Sequence, residues 1–314
     1  MRVIIIGCGN IGLKRIDAIS KIHSIEIVCL IEKNPNQQAY LNDKYQYEVY
    51  DDYKQFLVDD SIDAFIICTP THPALSIIED ALKAGKNVLC EKPLGDNASQ
   101  TQAITDLANK RKVVLQVGFN IRHDAGLQKA KSLIEDQRIG NPYYLKCTYV
   151  NGSVLTNENK VGALLDMGIH NIYLAKLFMG DIKPITSAIQ RYEYSIKDKD
   201  DNGFALIQSK DMVGSIHFNL VRWKNDFKLE VTGSEGSVVV ESLTKWGNQT
   251  TTLYERKYPS GPPKEKKYTY RGDDTWEKEL HEFYKRVTAR DLKNNNEALE
   301  AMQIAETIKK ISIT

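Results

Sequence analysis

The first 120 residues alternate short apolar runs with amphipathic segments, which is the pattern of a doubly wound α/β sheet. Residues 3–6 and 25–31 are rich in β-branched side chains, as expected of strands that are buried on both faces. Further strands are predicted at 47–50, 63–68, 87–90 and 113–118, and helices at 13–21, 36–42, 73–84 and 99–110. The pattern therefore predicts a parallel sheet with helices on both faces.

Beyond residue 120 the pattern changes to longer strands with alternating polarity. These strands are predicted at 143–150, 204–209, 213–220, 228–232 and 237–241, after a helix at 125–136 and before two amphipathic segments at 275–288 and 296–311. One alternating face favours a large, mostly antiparallel open sheet that packs against helices, and so an α+β architecture. The lysine-rich run at 264–267 is interpreted as a solvated hairpin loop.

A glycine-rich turn follows the first strand. Gly7, Gly9 and Gly12 have the spacing that lets the chain turn tightly, approach a pyrophosphate and pack the next helix close to the strand. The second strand ends at Glu32, about 20 residues later, where a carboxylate can bind a ribose 2′-hydroxyl. These features favour a dinucleotide site over a purely structural turn. Glu32 favours NAD as the cofactor, with NADP as the alternative. For Glu32 itself, the other interpretation is a solvated carboxylate at the end of a strand.

The segment Glu91-Lys92-Pro93 follows the strand predicted at 87–90. In a doubly wound sheet the carboxyl ends of the strands face the ligand, so Lys92 is expected beside the cofactor. An ammonium group in that place can polarise a reacting oxygen. Together with the glycine-rich turn, this lysine points to redox chemistry.

Asp166 and His170 lie four residues apart in an apolar segment, so on a helix they share one face. Histidine is the usual general base near neutral pH, and a neighbouring carboxylate orients it. A buried, hydrogen-bonded histidine is the alternative, but a nicotinamide oxidoreductase needs a group that exchanges the hydroxyl proton of its substrate. No third ligand has a telling spacing, so no metal site is predicted.

Composition restricts the remaining classes of function. A chain of 314 residues with 42% hydrophobic content suits a two-domain globular protein, and no segment approaches the length of a membrane span. The formal net charge of +1 gives no reason to expect nucleic acid or a membrane as partner. Five cysteines without a C-x-x-C pair indicate free thiols in a reducing cytoplasm, and the first strand begins too early for a signal peptide.

The chain resembles the Gfo/Idh/MocA family, the group of glucose-fructose oxidoreductase and inositol dehydrogenase. The segments that carry the resemblance are Gly7 to Gly12, Thr69-Pro70-Thr71-His72, Ala84 to Leu94, Gly118-Phe119-Asn120 and Asp166-x-Gly168-x-His170. The resemblance implies an N-terminal Rossmann domain, residues 1–120, and a substrate-binding and oligomerisation domain, residues 121–314, whose terminal helices could pack back on the first. It also implies hydride transfer between NAD or NADP and a hydroxyl or keto carbon of a sugar, cyclitol or derivative.

The resemblance implies that Lys92, Asp166 and His170 form the catalytic group. We expect a cofactor site made of Gly7, Gly9, Asn10, Ile11, Gly12, Glu32, Thr69, Pro70, His72, Glu91 and Lys92. We expect a substrate site made of Lys92, Asn120, Arg122, Lys160, Asp166 and His170. Which of Lys92 and His170 acts as the base stays open.

Three positions depart from the family pattern. Ala74 and Tyr173 stand where the family often has a histidine and an aspartate, and Lys160 opens a segment that is commonly three glycines. Because that segment lines the sugar pocket in the family, Lys160 brings a cation to it, and we expect an anionic group on the substrate. A solvent-facing Lys160 is the alternative.

Two other functions are compatible with these residues. One is a sugar-nucleotide or sugar-phosphate oxidoreductase, for which Lys160, Arg122, Arg222 and Lys224 are candidate anion contacts, unless they are ordinary surface cations. The other is a regulatory protein that binds the cofactor without turnover, against which the intact Lys92, Asp166 and His170 argue.

The open sheet is expected to form the interface of a homodimer or homotetramer.

Overall fold

A computed structural model describes residues 1–153, 161–193 and 199–313 of the chain. The described residues form two compact units, and each has its own sheet. The first unit comprises Met1–Asn120 and Thr275–Glu300, and the second comprises Ile121–Asp274 and Ala301–Thr314. In the described ranges, no helix combines the length and apolar character that a membrane crossing requires.

The first unit contains the predicted doubly wound sheet. Its six strands have the order β3-β2-β1-β4-β5-β6, and all neighbours are parallel. The strands are β1 (Arg2–Ile6), β2 (Glu26–Ile31), β3 (Glu48–Tyr50), β4 (Ala64–Ile67), β5 (Asn87–Cys90) and β6 (Leu115–Val117). The helices between them are α1 (Asn10–Ile19), α2 (Pro35–Lys44), α3 (Thr71–Lys83) and α4 (Ala98–Arg111). The prediction of a Rossmann-type parallel sheet is confirmed.

Helix α7 (Thr275–Ala289) completes the first unit, although it comes late in the sequence. Its buried side chains Leu280 and Phe283 join the apolar cluster that includes strand β1 and helix α1. Removing apolar surface from water in this way is the main source of stability for such a unit.

The second unit contains an eight-stranded sheet of order β14-β13-β12-β11-β7-β10-β9-β8. Only the pair β7 and β10 is parallel, so the prediction of a mostly antiparallel sheet is confirmed. The strands are β7 (Pro142–Val150), β8 (Lys183–Gln190), β9 (Asn202–Gln208), β10 (Val213–Asn219), β11 (Asp226–Gly233), β12 (Gly236–Glu241), β13 (Gln249–Glu255) and β14 (Lys264–Tyr270).

Helices cover one face of this sheet. Helix α5 (Ala125–Glu135) packs on strands β12 to β14, and helix α6 (Ile169–Met179) packs on β7 and β10. Strands with one covered face alternate buried and more exposed residues; β9, for example, buries every second side chain. Helix α8 (Glu297–Lys310) leads the chain from the first unit into the second.

One interpretation of the sequence was wrong. The run at 264–267 is not a loop, because it forms the first half of the edge strand β14, which pairs with β13. Its side chains are exposed, and lysines on an edge strand discourage pairing with other chains. Strands β8 and β13 lie where the sequence had predicted none.

Candidate active site

The glycine-rich turn joins β1 to α1 in the geometry that a dinucleotide needs. Gly7 has φ +84°, a conformation that favours glycine, and a Cβ there would lie 2.7 Å from Thr69 Cγ2. A Cβ on Gly12 would overlap the carbonyl oxygen of Gly7, so helix and strand pack closely only without one. Gly9, by contrast, caps α1 and would place a Cβ in open space. The open side at Gly9 leaves room for a phosphate group.

Glu32 follows β2 and has a fixed orientation. Its Oε2 accepts a hydrogen bond from Cys8 N at 2.9 Å, and its Oε1 accepts one from Asn34 N at 2.9 Å. Each carboxylate oxygen has a further lone pair, so Glu32 can still accept from ribose hydroxyls. Two backbone amides thus orient the carboxylate that is expected to contact the ribose.

A cleft of about 580 Å³ opens beside this turn. Its lining residues in the described chain are Ile6, Gly7, Ile31, Glu32, Lys33, Asp51, Asp52, Tyr53, Lys54, Thr69, Pro70, Pro73, Ser76 and Ile77. Thr69 Oγ1 is buried and has no hydrogen-bond partner among the described residues. A cleft of this size, with an unsatisfied hydroxyl and a fixed carboxylate, fits the adenosine half of a dinucleotide.

The other expected cofactor residues lie around the same turn. Asn10 and Ile11 are the first two residues of α1, and Ile11 is half-buried. His72 lies in the first turn of α3, but its side chain is 83% exposed and its Nδ1 is 3.4 Å from Asp96 Oδ2. His72 does not line the cleft described above. Ala74 is buried within the same helix.

Lys92 lies two residues beyond the end of β5, where the sequence had predicted it, and is half-buried. The preceding Glu91 has a structural contact: its Oε1 accepts hydrogen bonds from Arg15 Nη2 at 2.6 Å and Nε at 3.2 Å. Arg15 has no exposed surface, and burial lowers its pKa while Glu279 and Glu91 raise it, with a net rise. The sequence did not indicate this arginine.

The second unit carries Asp166 and His170 on one helical segment. Leu164–Gly168 is a π-helical turn, and helix α6 continues from Ile169. A spacing of four residues stays within one turn of either helix, so both side chains remain on one side. Asp166 is half-buried and His170 is 4% exposed. A π-helical turn often marks a functional site.

Hydrogen bonds to Asp200 fix the start of this helical segment. The N–H of Leu164 donates to Asp200 Oδ2 at 2.7 Å, and the N–H of Ala163 donates to Asp200 O at 2.8 Å. Burial raises the pKa of the Asp200 carboxyl. A Cβ on Gly168 would lie 3.0 Å from the ring of Phe218, so this glycine lets the helix approach strand β10.

Tyr149 contacts His170, and Lys245 contacts Tyr149; the sequence indicated neither residue. The rings of Tyr149 and His170 meet edge to face, with centroids 5.6 Å apart. The phenol oxygen of Tyr149 accepts a hydrogen bond from Lys245 Nζ at 2.6 Å. Tyr149 is the last inward-facing aromatic residue of β7, a position that sequence alone cannot connect with His170.

Arg122 and Tyr173 form a buried pair in the second unit. Arg122 is 7% exposed, its Nη1 donates to the Tyr173 hydroxyl, and its guanidinium carbon lies 5.6 Å from the centre of the Tyr173 ring. Tyr173 follows His170 by three residues, about one helical turn. Tyr173, one of the departures from the family pattern, therefore binds a buried arginine about one helical turn from the candidate catalytic histidine.

The remaining expected substrate residues have other environments. Asn120 Nδ2 donates to Thr275 Oγ1 at 3.0 Å, a buried contact within the first unit. Arg222 is exposed and pairs with Asp226 at 3.1 Å, whereas Lys224 lines a shallow groove of the second unit. Lys160 lies outside the described residues.

Among the described residues, neither the cysteines nor the potential metal ligands form a second reactive site. All five cysteines are free, and burial raises the pKa of Cys8 and Cys29 to about 12 and that of Cys68, Cys90 and Cys147 as well. Thiols with raised pKa values are poor nucleophiles near neutral pH. In the parts of the chain that the structure describes, no three His, Cys, Asp or Glu side chains are grouped to hold a metal ion.

Two curated relatives show the range of similarity. The chain is 33% identical to the uncharacterized oxidoreductase YrbE of Bacillus subtilis (strain 168) over 180 residues, which are 56% of this chain and 53% of that protein. It is 27% identical to the inositol 2-dehydrogenase of Rhizobium meliloti (strain 1021), across 96% of this chain and 94% of that protein.

A solved structure with the same fold is KijD10, a 3-ketoreductase from Actinomadura kijaniata in complex with NADP and TDP-benzene. The TM-score is 0.85 at 19% identity, over 99% of this chain and 98% of that chain. At this level of identity the similarity concerns the fold alone.

Two family models match consecutive parts of the chain. Residues 1–119 match the model described as "Oxidoreductase family, NAD-binding Rossmann fold", and residues 127–239 match the model of the GFO/IDH/MocA C-terminal domain. The resemblance in sequence motifs is thereby confirmed. The chain belongs to the GFO/IDH/MocA family of NAD(P)-binding oxidoreductases.

Proposed function

We propose that this protein transfers a hydride between NAD(H) or NADP(H) and a hydroxyl or keto carbon of a sugar, cyclitol or sugar derivative. One observation carries the proposal: Lys92, Asp166 and His170 are all present in a chain whose first unit contains the dinucleotide-binding turn. When bound, the nicotinamide would supply or accept the hydride. The protein's own residues would bind both reactants and move the proton.

Residues of the first unit would hold the cofactor and polarise the reacting oxygen. The amides at the start of α1 would contact the pyrophosphate, and Glu32 would accept from the ribose hydroxyls. Lys92, at the carboxyl end of the sheet, would donate to the substrate oxygen whose charge changes during hydride transfer. Such a contact is strengthened when charge develops, which is how it lowers the barrier.

Residues of the second unit would exchange the proton. His170 is buried, and its imidazole can take a proton from the substrate hydroxyl or return it. Asp166, one turn earlier, would orient His170 or bind a neighbouring hydroxyl of the substrate. Both Lys92 and His170 satisfy the chemistry of the base, so both are assigned to the proton-transfer group.

A substrate panel tests the function. Purified protein is mixed with NAD⁺ or NADP⁺ and a set of cyclitols, sugars, sugar phosphates and sugar nucleotides, and reduced cofactor is followed by its absorbance. The reverse direction is measured with the corresponding ketones. Turnover of at least one carbohydrate supports the proposal. Cofactor binding without turnover on the whole panel would instead support a regulatory role.

A second candidate, an anionic sugar substrate, is favoured by the buried Arg122. A guanidinium beside the catalytic helix can bind a phosphate or carboxylate through charge-assisted hydrogen bonds, each contributing about 1.5–3 kcal/mol. Lys160 remains a candidate for the same role.

Matched substrates test the anionic site. Arg122→Gln and Lys160→Met are compared on charged and neutral versions of one sugar. A loss of kcat/KM of about 10-fold or more for the charged sugar only would support an anion contact. An equal effect on both, or none, would return the substrate to a neutral sugar or cyclitol.

We also propose that the open face of the second sheet forms the interface of a homodimer or homotetramer. Phe204, Leu206 and Val213 are 51%, 48% and 57% exposed on neighbouring strands of that face. Apolar side chains grouped on an uncovered face mark a site of association. A monomer mass by light scattering at micromolar concentration would contradict this.

The free thiols match our proposal of a reducing, cytoplasmic location.

A further inference from the structure

The residue before Lys92 is fixed through both its backbone and its side chain. Glu91 N donates to Ile67 O at 3.2 Å, so the chain still follows strand β4 at this point. The carboxylate accepts two hydrogen bonds from Arg15 of α1. Glu91 therefore links the cofactor-binding helix to the segment that carries the proposed catalytic amine.

A second carboxylate holds Arg15 from helix α7. Arg15 Nη1 lies 2.9 Å from Glu279 Oε2, and the Glu279 side chain is 1% exposed. The indole of Trp276, one turn earlier on α7, lies 5.1 Å from the guanidinium carbon. The guanidinium is thus bound on two sides and packed against an aromatic ring.

The space around this group is closely filled. A Cβ on Gly118, just after β6, would lie 3.1 Å from Arg15 Nη2 and 3.1 Å from Glu91 Oε2. The backbone of residue 118 therefore passes directly against the ion pair. None of the three charged side chains can move far without meeting this backbone or leaving a buried charge unpaired.

Burying one guanidinium with two carboxylates is not an efficient way to stabilise a fold, because desolvation offsets most of the attraction. Such groups are better suited to selecting one conformation. Lys92 is one peptide bond from Glu91, and a catalytic group misplaced by about 1 Å can lose about 100-fold in rate. Rigidity at Glu91 therefore has a direct use at Lys92.

We infer that Arg15 and Glu279 are positioning residues that act through Glu91 to hold Lys92 at the cofactor. The inference depends on the role of Lys92 given under the proposed function. It assigns a role in the reaction to helix α7, which follows the second sheet in the sequence but belongs to the first unit.

Glu279→Gln tests this with little change in shape. The cofactor Kd and the KM for substrate should stay within about 2-fold, while the single-turnover rate of hydride transfer falls about 10-fold. In a Lys92→Ala background the same substitution should cause no further loss, because residues that act through one another are not additive. Should Glu279→Gln fail to fold, Arg15→Lys is the second variant. It keeps the charge but loses the planar guanidinium that contacts Glu91 and Glu279 on two sides, so we expect the same pattern.

Arg286→Met is the matched control. Arg286 is also a buried arginine of α7, but it donates to Leu115 O, Gln116 Oε1 and Asn295 Oδ1 and does not contact Glu91. Arg286→Met should lower the melting temperature at least as much as Glu279→Gln does. The hydride-transfer rate of its folded form should stay within about 2-fold of the wild-type rate. Equal rate losses in both variants, or a further loss in the Lys92→Ala background, would overturn the inference.

A second measurement needs no turnover, so it separates this inference from the proposed function. Lys92 is labelled competitively with acetic anhydride, and peptide mass spectrometry compares it with Lys86, whose ammonium donates to Asp59 O and Ile62 O in the same unit. Glu279→Gln should change the labelling rate of Lys92 several-fold and leave that of Lys86 unchanged. If the wild type turns over no substrate, the proposed function fails, but the labelling still tests whether Glu279 positions Lys92. Unchanged labelling of Lys92 in Glu279→Gln would overturn the positioning role.

Discussion

The two units position their candidate site residues by different means. In the first, the backbone defines where a dinucleotide can lie, through the positive φ of Gly7, the close packing at Gly12 and two amide hydrogen bonds to Glu32. In the second, side chains on a buried helix define the site, and His170 is placed by packing against Tyr149. A site that the backbone forms requires glycines at fixed positions in the sequence. A site that side chains form can accept a different substrate when those side chains are substituted.

The largest expected effect concerns Lys92 and His170, the proposed proton-transfer residues, one from each unit. We expect Lys92→Ala and His170→Ala each to lower turnover by about 100-fold or more, the usual loss for a positioned acid or base. Folding and cofactor binding should stay near normal, as judged by melting temperature and by titration of cofactor fluorescence. Steady-state kinetics on the best substrate of the panel gives the result.

The control is His281→Ala, which removes an exposed histidine of α7 and should keep full turnover. Retained turnover in either test variant, with the fold verified, would remove that residue from the mechanism. A loss in only one variant would show that one unit supplies the base alone.

The next effect separates the two uses of glycine in the turn. Gly9 has φ −73° and would place a Cβ in open space, so Gly9→Ala should fold with an unchanged melting temperature. The added methyl would occupy the side on which the backbone approaches the pyrophosphate, so the cofactor Kd should rise about 10-fold or more. Isothermal titration with NAD⁺ measures this.

Gly12→Ala provides the contrast. Its Cβ would overlap the carbonyl oxygen of Gly7, so this variant should lose stability as well as affinity. An unchanged Kd in Gly9→Ala would contradict the placement of the pyrophosphate at this turn.

Cofactor preference depends on Glu32, and we expect NAD(H) to be preferred over NADP(H). The carboxylate would accept from the ribose 2′-hydroxyl and repel a 2′-phosphate, although Lys33 beside it opposes this. Glu32→Gln should shift the ratio of kcat/KM for the two cofactors toward NADP by about 10-fold. Glu26→Gln, an exposed acid at the start of the same strand, should leave the ratio unchanged. A wild-type preference for NADP(H) would show that the role assigned to Glu32 is wrong.

The sequence predicted the first unit well because buried parallel strands and glycine spacing are local signals. Strand β5 begins and ends at the predicted residues, and Lys92 follows it as expected. The ion pairs of Arg15 with Glu91 and Glu279 could not be predicted, because these three residues come from distant parts of the chain and meet only in the folded core. No local pattern distinguishes a buried arginine from an exposed one.

Two of the strands that the sequence missed in the second unit, β13 and β14, are polar. Strand β14 is mostly charged because it lies at an edge. Strand β13 buries Gln249 and Thr251, whose side chains form hydrogen bonds with the backbone of Gly126 in the first turn of α5. Hydrophobic alternation identifies neither. The π-helical turn before α6 was also missed, since its sequence is as apolar as the helix that follows.

The smallest expected effect is a pH dependence of stability that comes from His217 in the second unit. His217 of β10 stacks on Phe204, with ring centroids 3.9 Å apart, and burial, followed by the charge of Arg222, lowers its pKa. Asp226 acts in the opposite direction and is the weaker influence. Below the unfolded pKa of about 6.5, the unfolded chain takes up a proton that the folded protein does not, so stability falls as the pH falls.

His217→Gln should therefore reduce the stability that the protein loses on acidification. The urea midpoint is measured at pH 7.5 and 5.5 for the wild type and the variant at one protein concentration, because association would change the apparent stability. The difference between the two midpoints should be smaller in the variant. His281→Gln, in the first unit, provides the comparison at an exposed site. An acid-induced loss as large in His217→Gln as in the wild type would show that this histidine does not contribute, and that the stacked pair on the open sheet face is only a packing contact.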